Sequence, residues 1–387
     1  MKLISWNVAG RVKNLPLQLE AISARNPDVI ALQEVTPNAA HLWKVGLTEA
    51  GYEHILTSFD ISPNPDKLVG ARRRCLLIAS RWQLEPLDQK DLDMPWKERL
   101  LSTMVHHPRQ YFELHAAYIP PGSSHGWLKI ETFEGIYRYL AHTSDIPRIL
   151  CGDFNSPKKE LIDGRTIVWG QRLKRDGTIE TPGDPRWAQG ERLVIRDLEA
   201  FDMQDIYRKL NGWDAEDYSW VLKRKGKVVS QRRFDHVFLS GDLGASSCQY
   251  LHEFRLGELS DHSAIEVVFS SGLDKESEKQ LFGEKQPKKI PQSVSMQPSV
   301  SVVSDSKKEK PMMTNQRDDI RDLDPQESHR TAFLAGWTRA VQGDLFATVM
   351  EKKTHANMGN LFGWIYGEQS REFRLATWYH YLENTTN

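Results

Sequence analysis

The stretch RILCGDFNSP, residues 148–157, runs an apolar strand-like segment up to Gly152, sets Asp153 and Asn155 two residues apart, and stops at Pro157. In an extended chain residues i and i+2 share a face, so the carboxylate and the amide would point together into whatever lies beyond the strand's end. Gly152 would let the backbone approach a ligand closely, and the proline would end the pairing. The same residues also suit an Asx-type turn. Repetition elsewhere lifts the stretch above a simple turn. SWNV puts Asn7 near the end of another apolar run, LQEV embeds Glu34, RRFDHVFLS embeds Asp235, and LSDHSAIEV begins with Asp261 and His262. A carboxylate is rarely buried alone, so Glu34 requires a partner or a metal.

Working outward, KLISWNV, DVIALQEV, RCLLIASRW, RLLSTMVHH, YFELHAAYI, RILCGDF, RFDHVFLS and SAIEVVFS read as strands rich in β-branched, aliphatic and aromatic residues. NLPLQLEAISARN reads as a helix with Asn14 as its N-cap and Leu15, Leu19 and Ile22 on one face. WLKIETFEGIYRYLAH and ERLVIRDLEAFDMQDIYRKL read as longer helices. Many strands with few helices predict sheets packed on each other and flanked by helices over residues 1–271. Residues 272–323 are rich in Lys, Ser, Gln and Pro without periodicity, the composition of a disordered linker. From Asp324 a capping pattern with Pro325 and Glu327 introduces Phe333, Leu334, Trp337 and Val341 at helical spacing, so 324–387 reads as a small helical module able to recruit a partner protein.

The 387 residues carry 51 Lys+Arg against 52 Asp+Glu, a formal charge of −1. No global basic field marks a nucleic-acid partner, so any polyanion site must be a local patch. Cys75, Cys151 and Cys248 lie far apart with no CxxC spacing and read as small buried hydrophobes. MKLISWNV is too polar for a signal peptide, and no run approaches a membrane span of ~18 apolar residues. The expectation is a cytoplasmic protein with no membrane partner.

LISWNVAG, PDVIALQEV, LHAAYIPPG, ILCGDFNSP, YSWV, RRFDHVFLS and LSDHSAIEV, in that order, resemble the endonuclease/exonuclease/phosphatase superfamily over about residues 1–270. The resemblance implies the DNase I-like α+β fold, a four-layer α/β/β/α sandwich with its site at one end, and hydrolysis of a phosphate ester with Mg²⁺ or Mn²⁺. It implies that Glu34 binds the metal, with Asn7 beside it and Asp261 nearby. Asp153 corresponds to the residue that activates the attacking water and Asn155 to the amide that positions it. His262 corresponds to the histidine that contacts the scissile phosphate, with Asp235 fixing its ring. Oxygen ligands of this kind suit a hard cation, and a carboxylate base with a carboxylate-held imidazole suits phosphoryl chemistry.

Tyr118 in LHAAYIPPG, followed by Pro120 and Gly122, looks like the exonuclease III and abasic-site endonuclease branch, as does YSWV with Trp220. The run LKRKGKVVSQRRFDH carries Lys223, Arg224, Lys225, Lys227, Arg232 and Arg233 before any acid, and a hairpin turning near Gly226 would set them beside the site. A second run holds Lys158, Lys159, Arg165, Arg172, Lys174 and Arg175. Two basic runs flanking such a site favour tracking of a nucleic-acid backbone, DNA or RNA. Trp169, Trp187 and Trp220 offer stacking surface. Two departures weigh against abasic-site specificity: Thr36 follows QEV where that branch carries lysine, and Ala9-Gly10 follows NV in place of its usual Asn-Gly pair. Residues 156–189 look like an insertion that reshapes the groove. A nuclease is the favoured reading, ahead of a phosphoesterase acting on a small or lipid substrate and of a non-enzymatic adaptor.

Overall fold

Neighbouring residues of the central strands point to opposite faces, and here both faces are apolar, so each strand must be covered on two sides. The computed structural model, which describes residues 1–270 apart from 63, 226 and 242, covers them with a second sheet on one side and helices on the other. All the described residues fall in one unit.

The chain begins with β1 (Lys2–Asn7), α1 (Leu15–Arg25), β2 (Val29–Val35), α2 (Pro37–Glu49), β3 (His54–Thr57) and β4 (Cys75–Ser80). It continues with β5 (Leu84–Pro86), β6 (Leu100–Val105), β7 (Phe112–Tyr118), α3 (Leu128–Leu140) and β8 (Arg148–Asp153). After α4 (Pro185–Ile195) come β9 (Gln204–Asp205), α5 (Ile206–Asn211), β10 (Trp220–Arg224), β11 (Lys227–Arg232), β12 (Asp235–Leu239), β13 (Ala245–Leu251) and β14 (Ala264–Phe269). One six-stranded sheet has the order β13-β14-β1-β2-β4-β3 and the other β9-β12-β8-β7-β6-β5. Leu3, Val29, Ala31, Leu76 and Ile78 of the first sheet meet Leu114, Ala116, Ile149, Cys151 and Val237 of the second between the layers. On the outer faces Ile4, Trp6, Ile30 and Leu32 pack on α1 and α2, while Leu100, Leu150 and Phe238 pack on α3 and α4. Cys75, Cys151 and Cys248 are all buried and free. No helix among the described residues is long and apolar enough to cross a membrane.

Each sheet contains one parallel pair, β1 with β2 and β7 with β8, joined by a helical crossover. The carboxyl ends of each pair therefore emerge together. Register does the rest: Asp153 lies opposite Tyr118 on one side and Asp235 on the other, a line of three polar residues across three strands.

Two sequence expectations change here and one helix is added. The stretch from Glu191 to Leu210 is not one helix: α4 stops at Ile195, Asp202 takes a left-handed conformation at φ 64, and Gln204–Asp205 pair with the edge of β12 before Asp205 caps α5 through the Arg208 amide at 3.2 Å. The sheet edge captures the chain there, because unpaired strand groups at an edge accept a short partner. Asn14 precedes α1 but does not cap it; its amide donates to the carbonyls of Glu258 and Leu259 at 2.8 and 3.2 Å, tying the helix start to the loop before β14. The helix α2, with Pro37 in its first turn and Ala39, Leu42, Trp43 and Leu47 buried, is an addition to the sequence reading. The expected linker 272–323 and module 324–387 lie outside the described residues.

Gly152 is required for a reason internal to the sheet. Its φ is +143, and a Cβ there would stand 1.9 Å from the carbonyl oxygen of Ala117, so the close approach is to β7 rather than to a ligand. Gly152→Ala is expected to cost about 3 kcal/mol or more of stability through this clash and the strained backbone. Denaturant unfolding checks it, and a loss under ~1 kcal/mol would show that the two strands can separate cheaply.

Candidate active site

At the shared carboxyl end of the strands a cleft of about 570 Å³ is lined by Glu34, Arg74, Tyr118, Asp153, Asn155 and His262, with Trp169, Trp187 and Trp220 along its walls. The most buried carboxylate lining it is Asp153, at the end of β8 and 1% exposed. A carboxylate in that position loses water and must be repaid in hydrogen bonds. Its Oδ2 accepts from the Asn7 amide at 2.9 Å and from the Asn155 amide at 3.3 Å, and its Oδ1 accepts from the Asn155 backbone N–H at 2.9 Å. Burial pushes the Asp153 carboxyl up to about 7; Asp235 adds to the rise, while His262 and the amide donors oppose it.

Asn155 does not share a strand face with Asp153. The strand has already ended, and Asn155 sits in the left-handed region at φ 48, which folds its backbone N–H back onto the aspartate as an Asx-type turn. The turn is also what orients the site, because the amide thus returned donates to Ile119 O at 2.9 Å as well as to Asp153.

The imidazole of His262 bridges two buried acids. Nδ1 pairs with Asp235 Oδ2 at 2.7 Å and Nε2 lies 3.9 Å from Asp153 Oδ2. Around it, Trp6 Nε1 donates to the His262 carbonyl at 3.0 Å, and Ser260 Oγ holds Asn7 O at 2.6 Å while accepting from His262 N–H at 3.1 Å. These bonds lock the start of β14 against β1. Asp235 Oδ1 is buried with no hydrogen-bond partner among the described residues. The ligand-capable atoms of Asp153, Asp235 and His262 lie within 4.8 Å of one another. That spacing is already explained by a charged imidazole between two carboxylates, since Nδ1 is engaged by Asp235.

Glu34 occupies a bulge in β2 between Gln33 and Val35, with φ 61, and the bulge turns the side chain out of the pairing. Its carboxylate finds Arg74 Nη1 at 2.9 Å and the Tyr118 hydroxyl at 2.8 Å, which are the partners that burial of an acid in LQEV demanded. Tyr118 is itself buried, and burial, with Glu34 and Asp153 nearby, raises its hydroxyl pKa. Asp261 stands at the rim, half-exposed, receiving Trp220 Nε1 at 3.3 Å with Arg11 at 4.0 Å. Glu34, Asn7, Asp153, Asn155 and Asp261 offer oxygen donors alone, a set that fits a hard divalent cation rather than zinc.

The basic runs divide. Trp220–Arg224 and Lys227–Arg232 form an antiparallel hairpin, with Lys223, Arg224, Lys225 and Lys227 exposed and in no ion pair with a described residue. Arg232 is half-buried, its guanidinium 5.8 Å from the Trp169 ring. Arg233, expected on the nucleic-acid face, instead points inward, 4% exposed, and binds both Glu160 and Asp205 at 2.6 Å. In the second run Arg165 pairs with Asp163, and Arg172 and Lys174 pair with Glu180, so much of its charge is neutralised locally.

Two buried networks behind the cleft lie outside the sequence-derived set. Lys129 on α3 binds Glu191 on α4 and donates to Asn155 O at 2.9 Å; Glu191 also accepts from the Trp169 N–H at 2.7 Å, and Trp169 Nε1 donates to Asn155 O at 3.0 Å. Each of these charges sits on the apolar stripe of its helix, a readable signal of a buried pair. In the other, His236 bridges Asp205 at 3.0 Å and Ser156 O at 2.9 Å beside Arg233. Burial alone would raise Glu160, but Arg233 and Arg208 hold its carboxyl down at about 2.

Residues 4–262 match the profile of the Endonuclease/Exonuclease/phosphatase family. None of the curated proteins matches the sequence. Among solved structures, an AP endonuclease from Archaeoglobus fulgidus shares 20% identity with a TM-score of 0.51, covering 70% of this chain and 99% of that one. The 3' phosphatase NExo from Neisseria, bound to a product DNA hairpin, shares 19% with a TM-score of 0.49, covering 70% and 99%. An endonuclease/exonuclease/phosphatase from Beutenbergia cavernae shares 18% with a TM-score of 0.47, covering 69% and 70%. The first likeness bears on the fold.

Titration of His262 reports the arrangement. Burial would lower its pKa, but Asp235 and Asp153 outweigh burial and raise it to about 10. The folded value stands above the unfolded value near ~6.5, so the stabilisation is complete below that pH and is lost as pH rises through about 10. NMR of the ring signals should find His262 protonated at neutral pH, and Asp235→Asn should bring its titration down. A wild-type His262 that titrates near ~6.5 would contradict the bridge.

Proposed function

The chain belongs to the endonuclease/exonuclease/phosphatase family, and within that family of phosphoester-cleaving enzymes we propose that it is a divalent-metal-dependent nuclease. It hydrolyses phosphodiester bonds of DNA or RNA by attack of water activated by Asp153. The observation that carries this reading is the buried Asp153 carboxylate, fixed by Asn7 and Asn155 and flanked by a His262–Asp235 pair in an open cleft.

Asp153 accepts the proton of the attacking water. Its raised pKa makes it a better base than an ordinary carboxylate while leaving it ionised at mildly alkaline pH. Asn155 and Asn7 fix which oxygen lobe faces the water. His262, held cationic by Asp235, presents positive charge toward the phosphoryl oxygens as negative charge builds on them. Glu34, with Asn7 and Asp261 beside it, would hold Mg²⁺ or Mn²⁺, which supplies neutralisation of the phosphoryl oxygens and of the leaving alkoxide. Tyr118 steadies Glu34 through its hydroxyl. The exposed hairpin cations Lys223, Arg224 and Lys225, with Arg232 and the Trp220 ring nearer the cleft, track the strand beyond the cleaved bond. Free cysteines fit a cytoplasmic setting.

Labelled single- and double-stranded DNA, abasic DNA and RNA incubated with Mg²⁺ test the reading. Cleavage should be abolished by EDTA and should fall at least ~10²-fold in Asp153→Asn, with the fold kept by circular dichroism. Because the base must be ionised, the wild-type rate should climb as pH passes about 7. No cutting of any substrate would sink the nuclease and leave small or lipid phosphodiesters to be tried. Replacing Lys223, Arg224 and Lys225 together by alanine should weaken binding across sequences and flatten the log–log salt dependence by ~2–3. An unchanged slope would remove the hairpin from the interface.

A further inference from the structure

Arg72, Arg73 and Arg74 are consecutive, and the fold gives the first and last opposite tasks. Arg72 forks onto the buried Glu98 at 2.6 and 2.7 Å, away from the cleft. Arg74 turns into the cleft and sets Nη1 2.9 Å from both oxygens of Glu34. This meeting is built by the bulge in β2: Val35 pairs with Cys75, which leaves Glu34 and Arg74 side by side just outside the ladder. The main chain of Arg74 is pinned, because the buried Arg99 guanidinium, stacked 4.6 Å from the Tyr118 ring, donates to the Arg74 carbonyl. The side chain, held by Glu34, is nevertheless 46% exposed. A rigid stem thus carries a solvent-reaching guanidinium whose planar fork suits a phosphate as well as a carboxylate.

We propose that Arg74 is a substrate-phosphate clamp held in reserve by Glu34. Arg74 and a divalent cation compete for the same two carboxylate oxygens, since two positive groups on one acid repel. When Glu34 takes up the cation, Arg74 swings free and binds a nonbridging oxygen of the substrate phosphate. Without a cation, the guanidinium stays on Glu34 and the cleft lacks its phosphate anchor, which orders cation uptake before productive substrate binding. Thr36, the residue after Val35, is uncharged, and the cation beside Glu34 is Arg74, from the residue just before β4. This inference rests on the reading of Glu34 as the metal-holding residue.

The two roles predict opposite effects of one substitution. Calorimetric titration of Mn²⁺ into the substrate-free full chain should show Arg74→Gln binding the cation about threefold to tenfold more tightly than wild type. With saturating cation, KM for a single-stranded oligonucleotide should rise about tenfold in the same variant while kcat stays within about threefold. Arg74→Lys keeps the charge without the fork and should move both quantities in the same directions by less. It also serves as the readout if Arg74→Gln folds poorly. A merely structural arginine would not separate the two quantities. Cation affinity that is unchanged or weaker, or an unchanged KM, overturns the clamp while leaving the nuclease standing. A wild-type chain that takes up no divalent cation removes the metal-dependent reading and the clamp together.

Discussion

Everything at the mouth of this sandwich depends on keeping the Asp153 carboxylate out of water. Both oxygens of this buried acid are answered, by Asn155 from the turn just beyond β8, by Asn7 from distant β1, and by the charge of His262 from the segment before β14. Each of those donors must be held in turn. Asp235 holds His262, Ser260 ties the backbones of Asn7 and His262 together, and the Ile119 carbonyl holds Asn155. The pairing register that places Tyr118, Asp153 and Asp235 on one line is therefore a chemical constraint as well as a topological one. A slip of one residue would turn the acids onto the opposite, helix-covered face of the sheet.

The sandwich was legible because its strands announce themselves. Runs such as VIALQEV and RILCGD are apolar on both faces, and polar residues interrupt them only near the ends, where the sheets open to the cleft. Asn7, Glu34, Asp153, Asn155, Asp235 and His262 stand out in the sequence for the same reason. Partnership was what could not be read. Arg233 and Arg232 are adjacent members of one basic run, yet only strand alternation and the acids Glu160 and Asp205, far away in sequence, decide that Arg233 goes inside. Gly152 looked like room for a ligand and is room for the carbonyl of the neighbouring strand. The pairing of Arg74 with Glu34 carried no local signal at all, because it arises from a bulge in another strand.

The walls of the cleft follow a different logic from its floor. Strand ends fix the acids, but the segment after Asp153 is held by charges buried in helices, with Lys129 and Glu191 gripping Asn155 and Trp169 together. A buried pair of this kind adds little net stability over an apolar equivalent, while breaking one member is costly. What it fixes is geometry: the indole of Trp169 is bonded to the carbonyl of the same residue whose amide orients Asp153. The Trp169 wall of the cleft and the amide that orients the Asp153 carboxylate are one mechanical unit, so a ligand pressing on Trp169 acts directly on Asn155. The position of the Trp169 ring and the orientation of the Asp153 carboxylate are thereby coupled through the single residue Asn155, and a ligand that left the ring untouched would forgo that coupling.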